Sequence, residues 1–151
     1  MLLSALVAFL HFTTALLVVS MILFEALTFT ESLTMSIAKR IQQADMIYWI
    51  SALLVVAIGF LRVYYFEKGS AYYFSNWLFW VKIGSFIAVG LLSIYPTIKF
   101  MKWGKELKEN KPPQVSLRDY TTISLLLKIE LIGIIIMLIS ASFMAKGYGF
   151  L

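Results

Sequence analysis

The stretch LLSALVAFLHFTTALLVVSMILFEALTFT, residues 2–30, decides the fold. It is longer than the roughly 20 apolar residues that cross a hydrocarbon core of about 30 Å, and it contains no lysine, arginine, glycine or proline. It reads as a membrane-spanning helix, and two residues inside it resist that reading: His11 and Glu25. An ionisable side chain near the middle of a bilayer costs about 2.5 kcal/mol or more, so one that persists there marks function or a specific partner.

Working outward, three further segments repeat the pattern, at about 44–66, 76–100 and 120–145. Arg62 interrupts the second, Lys82 the third, Lys128 and Glu130 the fourth. The chain of 151 residues is 61% hydrophobic and 14% charged, with a mean hydropathy of +0.87, well outside the soluble globular range. The four segments are too few and too long for a closed barrel, and irregular backbone cannot face lipid. The expected fold is all-α: an integral membrane four-helix bundle, a single domain over 1–151 whose residues 101–119 form a basic loop. The first segment lacks a basic residue before its apolar run and an A-x-A site, so it reads as a retained helix rather than a cleaved signal.

The loops give the orientation. Six of the thirteen Lys and Arg residues lie between Lys99 and Arg118, and Lys39 and Arg40 occupy the first loop. By the excess of basic residues on the cytoplasmic side, both termini face outward. The net charge of +5 therefore marks topology rather than nucleic-acid binding, and the expected surroundings are the lipid bilayer. Tyr64, Tyr65, Tyr72, Tyr73, Trp77 and Trp80 at one end, and Trp103 at the other, read as interfacial belts. The absence of cysteine excludes disulfides and thiolate metal sites, and the single histidine excludes a cluster of imidazole ligands within one chain.

Polar and small residues recurring at three, four or seven places mark the inward stripes of a bundle. They are Ser4, His11, Val18 and Glu25 in the first helix; Tyr48, Ala52, Val55, Gly59 and Arg62 in the second; Lys82, Ser85, Val89, Ser93 and Pro96 in the third; Glu130, Gly133, Met137, Ser140 and Met144 in the fourth. Lys128 lies about 200° round the helix from Glu130 and is expected to snorkel toward the cytoplasmic headgroups. At about 1.5 Å per residue, His11, Arg62, Lys82 and Met137 fall in the outer half of the bundle. Two cations and an imidazole there, with no acidic residue at their level, form a site that attracts an anion. Each also has a plainer reading: His11 as an interhelical hydrogen-bond donor, Arg62 as an interfacial anchor. Glu25 and Glu130 are buried polar residues of open role. Pairing of Glu25 with Lys128, a bond from Glu25 to a backbone carbonyl, and proton relay by the two glutamates all stay open.

The words RVYYFEKG at 62–69, Tyr72-Tyr73 with Asn76, FWVK at 79–82 and SIYPT at 93–97, with His11 and Glu25, resemble a bacterial family of four-span membrane proteins known as a domain of unknown function, DUF2214-like. The resemblance covers most of the chain and implies a multi-pass protein of the bacterial inner (plasma) membrane. More distantly, a first-span histidine, a late second-span arginine and a tryptophan before an intramembrane lysine are similar to the HemJ kind of protoporphyrinogen oxidase and to CopD-like proteins. That likeness implies haem b as a cofactor, with His11 as the axial metal ligand, Arg62 and Lys82 on the porphyrin carboxylates, and Met137, Lys82 or another subunit at the sixth position. Scattered methionines and absent thiolates speak against copper carriage. The first functional reading is thus a haem- or tetrapyrrole-binding membrane protein with a redox role. The second is a cofactor-free structural or accessory subunit, with a homo-oligomer or a membrane complex as partner. The third, a small-solute or proton transporter, lacks inverted halves and paired broken helices.

Overall fold

The computed structural model describes residues 1–150. The elements run α1 (Leu2–Thr28), α2 (Met35–Leu61) continuing into a π-helical turn (Arg62–Phe66), α3 (Ser70–Phe74), α4 (Trp77–Lys102), α5 (Gly104–Lys108) and α6 (Leu117–Ala145). The helices α1, α2 with its π turn, α4 and α6 are long and apolar enough to cross a membrane. Short connections make sequential long helices antiparallel neighbours, and contact between α6 and α1 closes the ring. The tightest pairings are α1 with α2 and α4 with α6, so the molecule is an integral membrane bundle of two helical hairpins laid side by side. Both chain termini lie at one end, the terminal face; the connections after α1 and α4 lie at the other, the basic face.

Side-chain caps set where the helices begin. Thr34 accepts from the Ile37 amide, Asn76 from Leu78 and Ser116 from Asp119, each satisfying one of the orphan donors of a first turn. The Thr34 cap starts α2 well upstream of Ala44, the first residue apolar enough to belong to a span. The added turns are amphipathic: Ala38 and Ile41 are buried, while Lys39 and Arg40 stay exposed. Asp45 is thereby carried inside a helix rather than left near its end.

The inward stripes are largely those expected from periodicity. Val18, Glu25, Tyr48, Ala52, Val89, Ser93, Pro96, Glu130, Ser140 and Met144 are all buried, while leucines such as Leu16, Leu53 and Leu91 face outward with the bilayer as their solvent. Lys128 is exposed and makes no ion pair with Glu25. One aromatic expectation is corrected. Trp103 does not face an interface; it is buried against Phe29 and Phe100, with ring centroids at 6.3 and 4.9 Å, where α4 runs on into α5 and Leu107 joins the same core.

Across from it, the terminal face is latched by the chain's own tail. Asn76 is fully buried; its amide donates to the Tyr148 carbonyl at 2.8 Å, its carbonyl accepts from the Leu78 amide at 2.9 Å, and the Trp77 amide donates to the Gly149 carbonyl at 3.1 Å. Phe150 then packs on Tyr72, with centroids 4.7 Å apart.

The α4–α6 contact depends on Gly133, where an added Cβ would stand 2.5 Å from Val89 Cγ2. Val89 is itself buried, so Gly133→Ala should overpack the seam and cost about 1–3 kcal/mol. Thermal unfolding in detergent checks this, and Val89→Ala in the same chain should recover most of the loss.

Candidate functional site

A cavity of about 470 Å³ lies in the terminal half of the bundle, within the usual range for small-molecule sites of roughly 300–1,000 Å³. Each long helix sends one of the residues singled out from the sequence into its lining: His11 from α1, Arg62 from the end of α2, Lys82 from α4 and Met137 from α6. The rest of the wall is mainly apolar, including Phe12, Val55, Phe79, Phe86, Ile134 and Met144. The sequence expectation therefore converges on one space.

Local structure explains how these residues come together. Gly59 leaves room for the imidazole: a Cβ there would lie 3.1 Å from His11 Cε1, so the ring rests directly against the α2 backbone. One helical turn on, α2 widens into its π turn starting at Arg62, a local insertion that commonly re-aims side chains at functional sites. Arg62 is held over the Phe12 ring, 5.1 Å from its centroid, in an arrangement favourable to a cation.

The charge balance differs from the sequence expectation in one respect. An acidic residue does stand at this level: Glu67 lines the cavity and forms an ion pair with Arg62. The π turn ends at Phe66 and the chain reverses, which returns Glu67 toward the residue five positions before it. The clue in the sequence was an arginine and a glutamate straddling a span end. Their charges cancel, and the net positive charge of the cavity rests on Lys82 and, at the rim, Lys68, neither of which forms an ion pair with any described residue. His11 Nδ1 and Arg62 Nε are buried without hydrogen-bond partners.

At the rim, Lys68 lies over the Tyr72 ring, 4.4 Å from its centroid. Burial, followed by the charge of Glu67, holds the Tyr73 phenol above its ordinary range, so Tyr73 stays a neutral hydrogen-bonding group. Together these features make a greasy chamber with an imidazole on its wall, an ammonium without a carboxylate partner inside, a second at the rim, and a polar mouth. Such a space suits an amphiphilic anion.

Glu25 and Glu130 lie outside this lining, in the basic-face half, and both are buried. Asp45, not singled out from the sequence, is buried with them and accepts a hydrogen bond from Thr97 at 2.6 Å. It could have been found from its position three residues before Tyr48, on the same stripe. Among the described residues, no group of three or more His, Asp or Glu side chains is arranged to hold a metal ion, so any bound metal would depend on His11 and on donors of other kinds.

The family model described as "Predicted membrane protein (DUF2214)" matches residues 3–149. No curated protein and no solved structure matches the chain.

Proposed function

We propose, for a chain that belongs to the DUF2214 family of predicted membrane proteins, that its cavity binds haem b or a related tetrapyrrole in a redox role, in the bacterial inner membrane with the basic face toward the cytoplasm. One observation carries this reading: four helices each contribute a side chain to a single apolar chamber in which the Lys82 ammonium lacks a counter-ion and an imidazole stands on the wall. A tetrapyrrole answers both needs. Its macrocycle matches the aromatic and aliphatic walls, its carboxylates match Lys82 with Arg62 beside it, and its iron matches His11. Met137, on a different helix from His11, supplies a thioether on the same chamber wall. When bound, the iron would supply one-electron chemistry. The chain's own part is to fix the imidazole through Gly59, to neutralise the carboxylates and to keep water off the ring faces.

The test is spectroscopic. Membranes enriched in the protein from haem-replete cells, solubilised and scanned oxidised and reduced, should show a Soret band and redox-dependent α and β bands. His11→Ala should remove those bands while the protein remains in the membrane at its normal level. Monodisperse protein without pigment, from cells that load other haem proteins, would overturn the proposal and favour a cofactor-free accessory subunit.

A further inference from the structure

The polar groups in the basic-face half form a second assembly that the cavity does not use. Tyr48 Oη and Ser93 Oγ are hydrogen bonded at 3.0 Å, and Ser93 also donates to the Val89 carbonyl at 3.0 Å. Around this pair stand Glu25 from α1, Asp45 from α2 and Glu130 from α6, near enough to one another to interact through their charges. Glu25 is 3% exposed and Glu130 1% exposed, and one carboxyl oxygen of each, Oε1, is buried with no hydrogen-bond partner.

No cation balances the three. Every element packed around the assembly can be checked: α1 offers Glu25; α2 offers Asp45 and Tyr48; α4 offers Ser93 and Thr97; α6 offers Glu130. Lys99 of α4 is engaged with Asp119 at 2.7 Å, and Lys128 of α6 is exposed. No ion pair among the described residues involves any of the three carboxyls. Three carboxylates with no counter-charge in a hydrocarbon core repel one another and lose their hydration, so the cluster must hold positive charge, and the smallest is a proton. The lack of a three-carboxyl arrangement suited to a metal ion argues for protons over a divalent cation.

We propose that Glu25, Glu130 and Asp45, gathered around the Tyr48–Ser93 hydrogen bond, form a proton-binding site inside the membrane that loads from the basic face. Asp45 is the entry group, because Thr97, which donates to it, is only partly buried and in turn accepts from Trp49 at 2.8 Å. Tyr48 and Ser93, each able both to donate and to accept, stand beside the carboxyls: Tyr48 lies three residues from Asp45 on α2, and its hydroxyl meets Ser93 of α4. On this side the cavity wall is apolar: Val18 and Ile134 line it, and both are buried, as is Val89. Protons therefore exchange with one side of the bundle. The site does not depend on what the cavity binds.

The experiment is infrared difference spectroscopy on the full chain reconstituted in lipid, as pH is stepped from acid through alkaline. A carbonyl band of protonated carboxylic acid should be present at neutral pH, shift in heavy water, and decline as pH rises. Glu130→Gln and Glu25→Gln should each remove a component, and Asp45→Asn should slow exchange in heavy water while leaving the glutamate components in place. Should a variant fail to reach the membrane, carboxyl-labelled glutamate in the unaltered protein must shift the band. Absence of an acid carbonyl band at neutral pH would overturn the proposal, as would a band that neither pH nor heavy water moves. Spectra in membranes lacking any pigment serve equally well, so failure here is separable from failure of the haem proposal.

Discussion

Lys82→Met should weaken ligand binding strongly while making the empty protein more resistant to heat. The ammonium sits in a largely apolar chamber whose carboxylate, Glu67, is engaged by Arg62, so in the unliganded protein it contributes desolvation cost without an ion pair to offset it. Methionine has similar length and no charge, and substitution relieves that cost. With an anion bound, the ammonium completes a buried charge pair. Removing one partner of such a pair costs about 2–5 kcal/mol, or roughly 30-fold to several thousand-fold in affinity. Spectroscopic titration of the tetrapyrrole and a melting curve of the ligand-free protein measure the two effects independently. A fall in both would assign Lys82 to packing. Opposite signs are expected, as at binding sites where stability is exchanged for function.

Asn76→Leu should be the most destabilising substitution at the terminal face. The leucine keeps the branched shape but leaves the Tyr148 carbonyl and the Leu78 amide without partners in a fully buried position. Each orphaned group costs about 1–3 kcal/mol, giving an expected loss of roughly 2–6 kcal/mol. Denaturant titration of the solubilised protein checks the magnitude. Asn76→Asp should fall between, since its carboxylate still caps α4 but cannot donate to Tyr148. Gly149→Ala attacks the same latch from the other side: Gly149 has φ +99°, and an added Cβ would run into the Asn76 amide.

Much of the architecture was legible because membrane helices advertise themselves by length, and their inward faces by the residues that lipid rejects. His11, Arg62, Lys82 and Met137 were recognisable from heptad-like spacing and depth alone, and one chamber receives all four. What escaped had a different physical origin. Glu67 looked like a loop residue, and only the π turn brings it back to Arg62. Asp45 was overlooked because hydropathy locates the greasy middle of a helix and says little about its polar approach, whereas the Thr34 cap places Asp45 well inside. Trp103 illustrates the limit of a compositional rule: a tryptophan at a span end is at home in an interface, but aromatic partners, here Phe29 of a neighbouring connection with Phe100, can bury it.

The latch at the terminal face also bears on how the molecule is made. Tyr148 and Gly149, which hold Asn76 and Trp77, follow α6 in the chain, so a ribosome delivers them only after every wall of the chamber has been translated. Phe150 reaches Tyr72 at the chamber's edge later still. Docking of the tail at that end is therefore a late step of biogenesis, and a chain ending before Tyr148 would keep every wall of the chamber while losing the latch.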